Sequence, residues 1–404
     1  MTDTADQVFF NPLEPGYIEN PWPHLAEVRA ADPVHHLLTG QWGLFRYDDV
    51  FTVLRDPELS VDDANADLTL LDRSRLLEEL DELEPSRSIL GIDPPDHTRL
   101  RRLVSKAFTP RTIQALRPRI QEMVDEMLDW MAADGHADVV DRLAFPLPFD
   151  VIAEMLGMPE SDKESIKVWS GDLVKTLDPV LTEEEILAAR SSAEKMNALI
   201  DEVIEWKTEN PADDLLTAMI DAEDGGDRMS KKELRDQVEL LFVAGHETTV
   251  NLIGTGLFEL LKHPEQLAII RDEGMPASAI DELLRWVSPV QISRRVATAD
   301  LALRGKQIPK GTFVLTSLAA ANHDPGFWGD TAETLDLHRE NAGQHVSFGS
   351  GVHYCLGASL AKLEAEVAIG SFVQRFGQVG IVGEPVWNGR INLRGLESLI
   401  VDLT

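Results

Sequence analysis

Two stretches of the chain repeat apolar residues at helical spacing over many turns. Leu360, Leu363, Val367, Phe372 and Phe376 predict a helix over Leu356–Phe376, ended by Gly377. The second begins at Ser230-Lys-Lys-Glu233, a capping box, and meets no proline until Pro264. About 32 residues at 1.5 Å each would make that helix roughly 48 Å long, enough to cross a domain. Its middle, Val238–Gly245, is apolar on nearly every side and so belongs in a core. A shorter helix is expected around Glu282, capped near Ser278 and stopped before Pro289. Val34–Leu38 and Trp42–Arg46 flank a Thr-Gly turn and read as a hairpin. Leu301–Leu315, interrupted by Ile308-Pro-Lys-Gly311, and Ile391–Val401 read as further strands. The fold class is therefore mainly α with small β-sheets. No linker or repeat divides the chain, so residues 1–404 read as one domain.

Composition changes this picture little. The chain is 43% hydrophobic and 26% charged, ordinary for a globular protein with a sizeable core. No apolar run approaches the roughly 20 residues that span a bilayer. Met1–Pro15 lacks the basic and apolar regions of a signal peptide. A single cysteine suits a reducing cytoplasm. The formal charge of −33 argues against nucleic acid or an anionic membrane as partner. That charge is uneven: Thr98–Arg119 holds seven Arg or Lys and no acid.

Chemistry concentrates in two places. Cys355, the single cysteine, lies in Phe348-Gly-Ser-Gly-Val-His-Tyr-Cys-Leu-Gly357, immediately ahead of a predicted helix. Gly349, Gly351 and Gly357 would let this loop take unusual backbone angles and approach a flat partner. A helix N-terminus would be expected to lower the thiol pKa, making Cys355 a nucleophile or a metal ligand. In the long helix, Ala244-Gly-His-Glu-Thr-Thr249 sets poor helix formers inside an apolar stretch. The Thr248 hydroxyl can bond the Ala244 carbonyl, Gly245 leaves room beside the backbone, and His246 reads as packing.

The spacing Phe348-x-x-Gly351-x-x-x-Cys355-x-Gly357 resembles the cytochrome P450 family, as does Ala244-Gly-x-Glu-Thr248. The motifs fall in family order from His97 to Cys355, so the resemblance covers essentially the whole chain. It implies a haem b (iron protoporphyrin IX) between the long helix and the cysteine loop, with Cys355 as axial metal ligand. His97, Arg101, Arg295 and His353 would face the haem carboxylates, with Arg294 a rival for Arg295, and Phe348, Gly349 and Gly357 would line the cofactor. Gly245, Glu247 and Thr248 would be catalytic, admitting dioxygen and delivering protons. Ala244, Gln291, Ile292 and Leu393 would face the substrate, beneath a roof formed by Leu68–Leu90 and Trp169–Leu187. Glu282, Arg285 and Arg339 would be structural.

The activity implied is monooxygenation of a mainly apolar small molecule, by hydroxylation or epoxidation, in a cytoplasmic monomer. Electrons would come from ferredoxin and an NAD(P)H-dependent ferredoxin reductase, docking near Arg99, Arg102, Lys106 and Arg111. A haem-thiolate peroxygenase would normally lack the Glu247-Thr248 pair, and a haem-binding sensor would not need it. A cysteine hydrolase using Cys355 has only badly placed histidines, His345 and His353, for a base.

Overall fold

The computed structural model describes residues 8–70, 87–106, 108–158, 163–178, 180–223 and 226–403. Helices dominate. Those that position the site are α1 (Tyr47–Arg55), α2 (Asp96–Ser105), α3 (Pro110–Ala115), α4 (Pro146–Leu156), α5 (Lys163–Lys175), α6 (Glu183–Glu209), α7 (Leu215–Asp221), α8 (Lys231–Lys262), α9 (Ala279–Val287) and α10 (Ala358–Arg375). The strands are short: β1 (Val34–His36), β2 (Trp42–Leu44), β3 (Leu59–Ser60), β4 (His136–Asp138), β5 (Ile292–Ala297), β6 (Leu301–Leu303), β7 (Lys306–Ile308), β8 (Phe313–Ser317), β9 (Gly380–Ile381), β10 (Val386–Trp387), β11 (Leu396–Ser398) and β12 (Ile400–Asp402). The main sheet has order β1-β2-β8-β5-β3, with β2 and β8 parallel and the other pairs antiparallel.

Helix α8 is the axis of the molecule. Ser230 and Glu233 exchange side-chain and backbone bonds in the expected capping box, and 32 residues run on to Lys262. Its apolar middle packs with α4, α6, α9 and α10 into one large core, while the main sheet and α1 enclose a second. Helix α10 starts two residues later than its periodicity suggests, with Gly357 at the N-cap.

One local reading is refined and another corrected. Ser278 stands at the N-cap of α9 as expected, but its side chain makes no capping bond; its hydroxyl donates to the Leu337 carbonyl at 2.6 Å. Residues 391–395 are not strand. They leave the sheet and lie along α8, where Asn251 Nδ2 donates to the Leu393 carbonyl at 3.2 Å. Of the expected roof, residues 71–86 and 179 fall outside the described residues.

One glycine ties three helices together. Gly157, at φ 63°, ends α4 against the buried ion pair of Lys207 (α6) and Asp214, the N-cap of α7. A Cβ there would come within 2.4 Å of Lys207 Nζ and 2.6 Å of Asp214 Oδ2. Gly157→Ala must therefore adopt a left-handed backbone and part a buried pair. We expect a loss of about 3 kcal/mol or more, read as a lowered denaturant midpoint with an unchanged slope.

Candidate haem-thiolate site

The middle of α8 is open on one side. Thr248 Oγ1 donates to the Ala244 carbonyl at 3.0 Å, as its spacing predicts, and Thr249 Oγ1 reaches the Gly245 carbonyl at 3.4 Å. Gly245 is exposed although the helix around it is enclosed, and a Cβ added there would meet no protein atom within 4 Å. His246 points the other way. It is buried edge-on to Phe145 and Phe149, with Nε2 3.3 Å from the Phe145 carbonyl. Burial lowers its pKa to about 4, so it packs as a neutral ring.

Glu247 is buried, and that burial raises its pKa against the attraction of Arg390, whose Nη1 lies 2.8 Å from Glu247 Oε1. Nothing in the sequence links these residues, which lie as far apart along the chain as the neighbouring pair Asn251 and Leu393, 142 positions apart. Arg390, Asn251 and Gly395 are the site-forming residues that sequence reasoning misses. The one local signal is the Asn388-Gly389 turn, with Gly389 at φ 70°.

The cysteine loop is built as its glycines suggest, with one exception. Gly349 and Gly351 have φ of 68° and 73°, and Gly351 lets the loop approach the Leu54 carbonyl and Arg55 of α1. Gly357 has φ −83°, which any residue adopts. A Cβ there would meet no protein atom within 4 Å, so the chain itself does not require that glycine. The Cys355 amide donates to the Phe348 carbonyl at 3.0 Å, closing the loop, and Phe348 stands edge-on to Tyr354.

The expected lowering of the thiol pKa is corrected. The amides of Gly357 and Ala358 and the charge of Arg101 do pull it down, but burial in the surrounding protein outweighs them and leaves it raised. Yet Cys355 remains open to solvent along a cleft of about 410 Å³, lined also by Gln114, Tyr354, Lys362 and Glu366. The helix terminus and Arg101 favour the thiolate while burial opposes it. Coordination to a metal would favour it further, since a metal-bound thiol is deprotonated outright.

Beside the loop, basic side chains gather near one acid, Asp93. The His97 and His353 rings are 4.2 Å apart, and neither ring nitrogen of buried His97 has a hydrogen-bond partner. Burial lowers the pKa of His353 to about 4, with His97 and Arg295 adding to it. Burial also takes Arg295 down to about 10. Arg101 Nη2 donates to the Tyr354 carbonyl at 2.5 Å and feels the charge of Cys355. The nearby carboxylate, Asp93, is already held by the Ser60 hydroxyl and the Val61 amide. Arg294 points outward to Asp63, whereas Arg295 is buried beside His353.

Such a pocket suits a guest bearing carboxylates. Among the described residues no three His, Cys, Asp or Glu side chains gather around a metal position. An iron at Cys355 would therefore need ligands brought by its own cofactor. A flat group over Gly357 and Gly245, with carboxylates toward His97 and Arg295, fits these residues, and haem has that form.

The remaining predicted residues also find partners. Arg285 donates twice to Glu282, at 2.7 and 2.8 Å, and to the carbonyls of Asn322, Ala332 and Thr334. Arg339 Nε donates to Glu282 at 3.0 Å, completing the expected triad. Asn322 then holds Val346 N and the Ser347 hydroxyl, directly ahead of Phe348. Gln291 and Ile292 both bond Asn392, placing them beside Leu393 and across from the α8 face that carries Ala244. Gln291 Oε1 is buried without a partner.

The basic stretch divides. Arg99 is turned into α8, held by Glu233 and Asp227, so it is not available to a docking protein. Arg117 and Arg119 are likewise paired, to Glu366 and to Glu154 and Glu122. Arg111 is exposed on α3, the helix that brings Gln114 to the cleft. No helix among the described residues is long and apolar enough to cross a membrane.

Comparison with known proteins agrees with this geometry. The family model described as cytochrome P450 matches residues 42–379. The chain is 40% identical over 379 residues to cytochrome P450 CYP107DY1 of Priestia megaterium, covering 89% of each. It is 38% identical over 395 residues to the cytochrome P450 monooxygenase PikC of Streptomyces venezuelae, covering 95% of this chain and 91% of that protein. The solved structure of PksS, the bacillaene polyketide synthase cytochrome P450 of Bacillus subtilis 168, superposes with a TM-score of 0.88 at 34% identity, covering 98% and 100%. A lone exposed thiol in a glycine-built loop, basic side chains gathered beside it and relatives matched along nearly their full length meet in one conclusion: the chain belongs to the cytochrome P450 family of haem-binding monooxygenases.

Proposed function

We propose that the whole chain works as one catalytic unit in which Cys355 is the axial iron ligand and His97, Arg101, Arg295 and His353 hold the haem carboxylates. The observation that carries this reading is the gathering of those four groups beside the lone thiol, with the single nearby acid, Asp93, already engaged. The haem supplies the redox chemistry that puts one atom of dioxygen into the substrate and the other into water. Gly245 keeps the helix backbone accessible to dioxygen. Thr248, its proton committed to Ala244, presents oxygen lone pairs to the open side of α8. Glu247 lies one position away, its pKa raised by burial, and a buried acid beside Thr248 suits a group that takes up and hands on protons.

Gln291, Ile292, Leu393 and Ala244 would bound the pocket of a mainly apolar substrate. The polyketide synthase connection of one relative makes polyketides the first class to screen. A ferredoxin, reduced by its reductase, would bring electrons to the cleft beside Cys355, near Arg102, Lys106 and Arg111.

The test is the spectrum of the dithionite-reduced protein with carbon monoxide. A strongly red-shifted Soret band is expected for thiolate ligation. A histidine-like band would remove Cys355 from the iron. For the proton path, Thr248→Ala should keep that band but divert most of the reduced dioxygen to hydrogen peroxide, measured as peroxide formed per NADPH. An unchanged peroxide yield would remove Thr248 from proton delivery.

A further inference from the structure

Loop 388–395 is fastened to α8 at two successive turns. At one, Arg390 Nη1 lies 2.8 Å from Glu247 Oε1, an ion pair held by charge and proximity rather than by a hydrogen bond of good geometry. At the next, Asn251 Nδ2 donates to the Leu393 carbonyl, and the Asn388 side chain donates to the same carbonyl at 2.9 Å. The approach is so close that a Cβ on Gly395 would fall 1.8 Å from Asn251 Oδ1. The loop's other side is tied to the end of α5, where Asp178 accepts from the Asn392 amide at 2.7 Å and Asn392 Nδ2 donates to the Leu177 carbonyl. Arg390 is thus placed by the loop rather than by Glu247 alone, and its side chain is largely enclosed.

We propose that Arg390 is the positioning residue of the proton path, holding the Glu247 carboxylate against loop 388–395 so that protons pass through a fixed acid. This rests on Glu247 being the proton relay. The charged groups around the pair come from several elements. Glu247 feels Arg390 and Glu397. Arg390 also acts on Asp178, Glu185 and His246, with Lys175 near Glu185 and Lys167 near His246. Among the charges acting on Glu247, Arg390 favours its ionised form while burial and Glu397 oppose it. Without Arg390 the opposition stands alone, and the carboxyl should stay protonated to higher pH. An opposite charge at such range typically shifts a carboxyl by roughly one to three pH units.

The experiment is an infrared pH titration of the oxidised holoenzyme, with the Glu247 carboxyl band identified by its loss in Glu247→Gln. Arg390→Met should move that titration upward by roughly one to three units, and Arg390→Lys should return it most of the way. Gly395→Ala, which keeps Arg390 but forces the loop off Asn251, should shift it in the same direction. It therefore serves as the test if Arg390→Met does not fold. A titration that stays in place in Arg390→Met and Gly395→Ala overturns the proposal. Peroxide formed per NADPH, with a plant-type ferredoxin and its reductase, separates the two levels. If Glu247→Gln leaves that ratio unchanged, the relay reading fails and the positioning role fails with it, whatever the titration shows. If Glu247→Gln raises peroxide but Arg390→Met neither raises it nor moves the titration, the relay stands and the positioning role alone falls. An Arg390→Met effect that persists fully in the Glu247→Gln background would make Arg390 merely structural and also overturns it.

Discussion

Cys355→Ala should yield a folded protein with no red-shifted carbon monoxide band and no detectable product. The change is local because the backbone bond from residue 355 to the Phe348 carbonyl survives it, and the positive-φ positions are Gly349 and Gly351, which are untouched. The chain has no second cysteine to take over, and no cluster of other ligating side chains among the described residues offers iron a protein-only site. If Cys355 is the iron ligand, as proposed, its loss would remove the thiolate electron density that favours O–O cleavage in this family. Circular dichroism should match the native protein while turnover falls below detection. A variant that keeps the red-shifted band would show that the iron ligand is elsewhere.

Arg285→Leu should be the most damaging change remote from the chemistry. Both Arg285 and Glu282 are fully buried, and the arginine makes five hydrogen bonds, two to Glu282 and three to main-chain carbonyls. Leucine would take the Arg285 donor from the Asn322 and Ala332 carbonyls, leave the Thr334 carbonyl to Arg339, and reduce the cationic partners of a buried carboxylate to Arg339. Breaking a buried pair of this kind costs about 3–5 kcal/mol, a large part of the stability of an ordinary domain. Because Asn322 passes the constraint to Val346 and Ser347, the cysteine loop should loosen first. We expect little soluble protein, and in what is recovered a carbon monoxide spectrum shifted toward the band of a protonated thiol. Native yield and melting temperature in Arg285→Leu would show that the triad is dispensable.

How much of this was legible depends on how local each cause is. Capping, periodicity and glycine-bearing turns act over a few residues, so α8, α10 and the Cys355 loop could be placed from the chain alone. Glu282 and Arg285 share a helix face at three residues' separation and were legible for the same reason. Arg294 and Arg295 show the limit: adjacent strand residues face opposite sides, and only the sheet shows which is buried. Arg390 lay further beyond reach, since its meaning comes from a loop that looks like a strand in sequence but accepts a hydrogen bond from α8 and donates one to Asp178. The thiol pKa was misjudged because a helix terminus is visible in sequence and burial is not.

The late position of loop 388–395 also sets a schedule. A chain leaves the ribosome from its N-terminus, so α8 is made long before the residues that fasten to it. Until Cys355 emerges the ligand proposed for iron is missing, and until Arg390, Leu393 and Gly395 emerge the exposed stretch of α8 has no wall on that side. Cofactor capture therefore belongs to the nearly finished polypeptide, and a nascent chain stalled before residue 388 would carry the thiol without the enclosure that completes its surroundings.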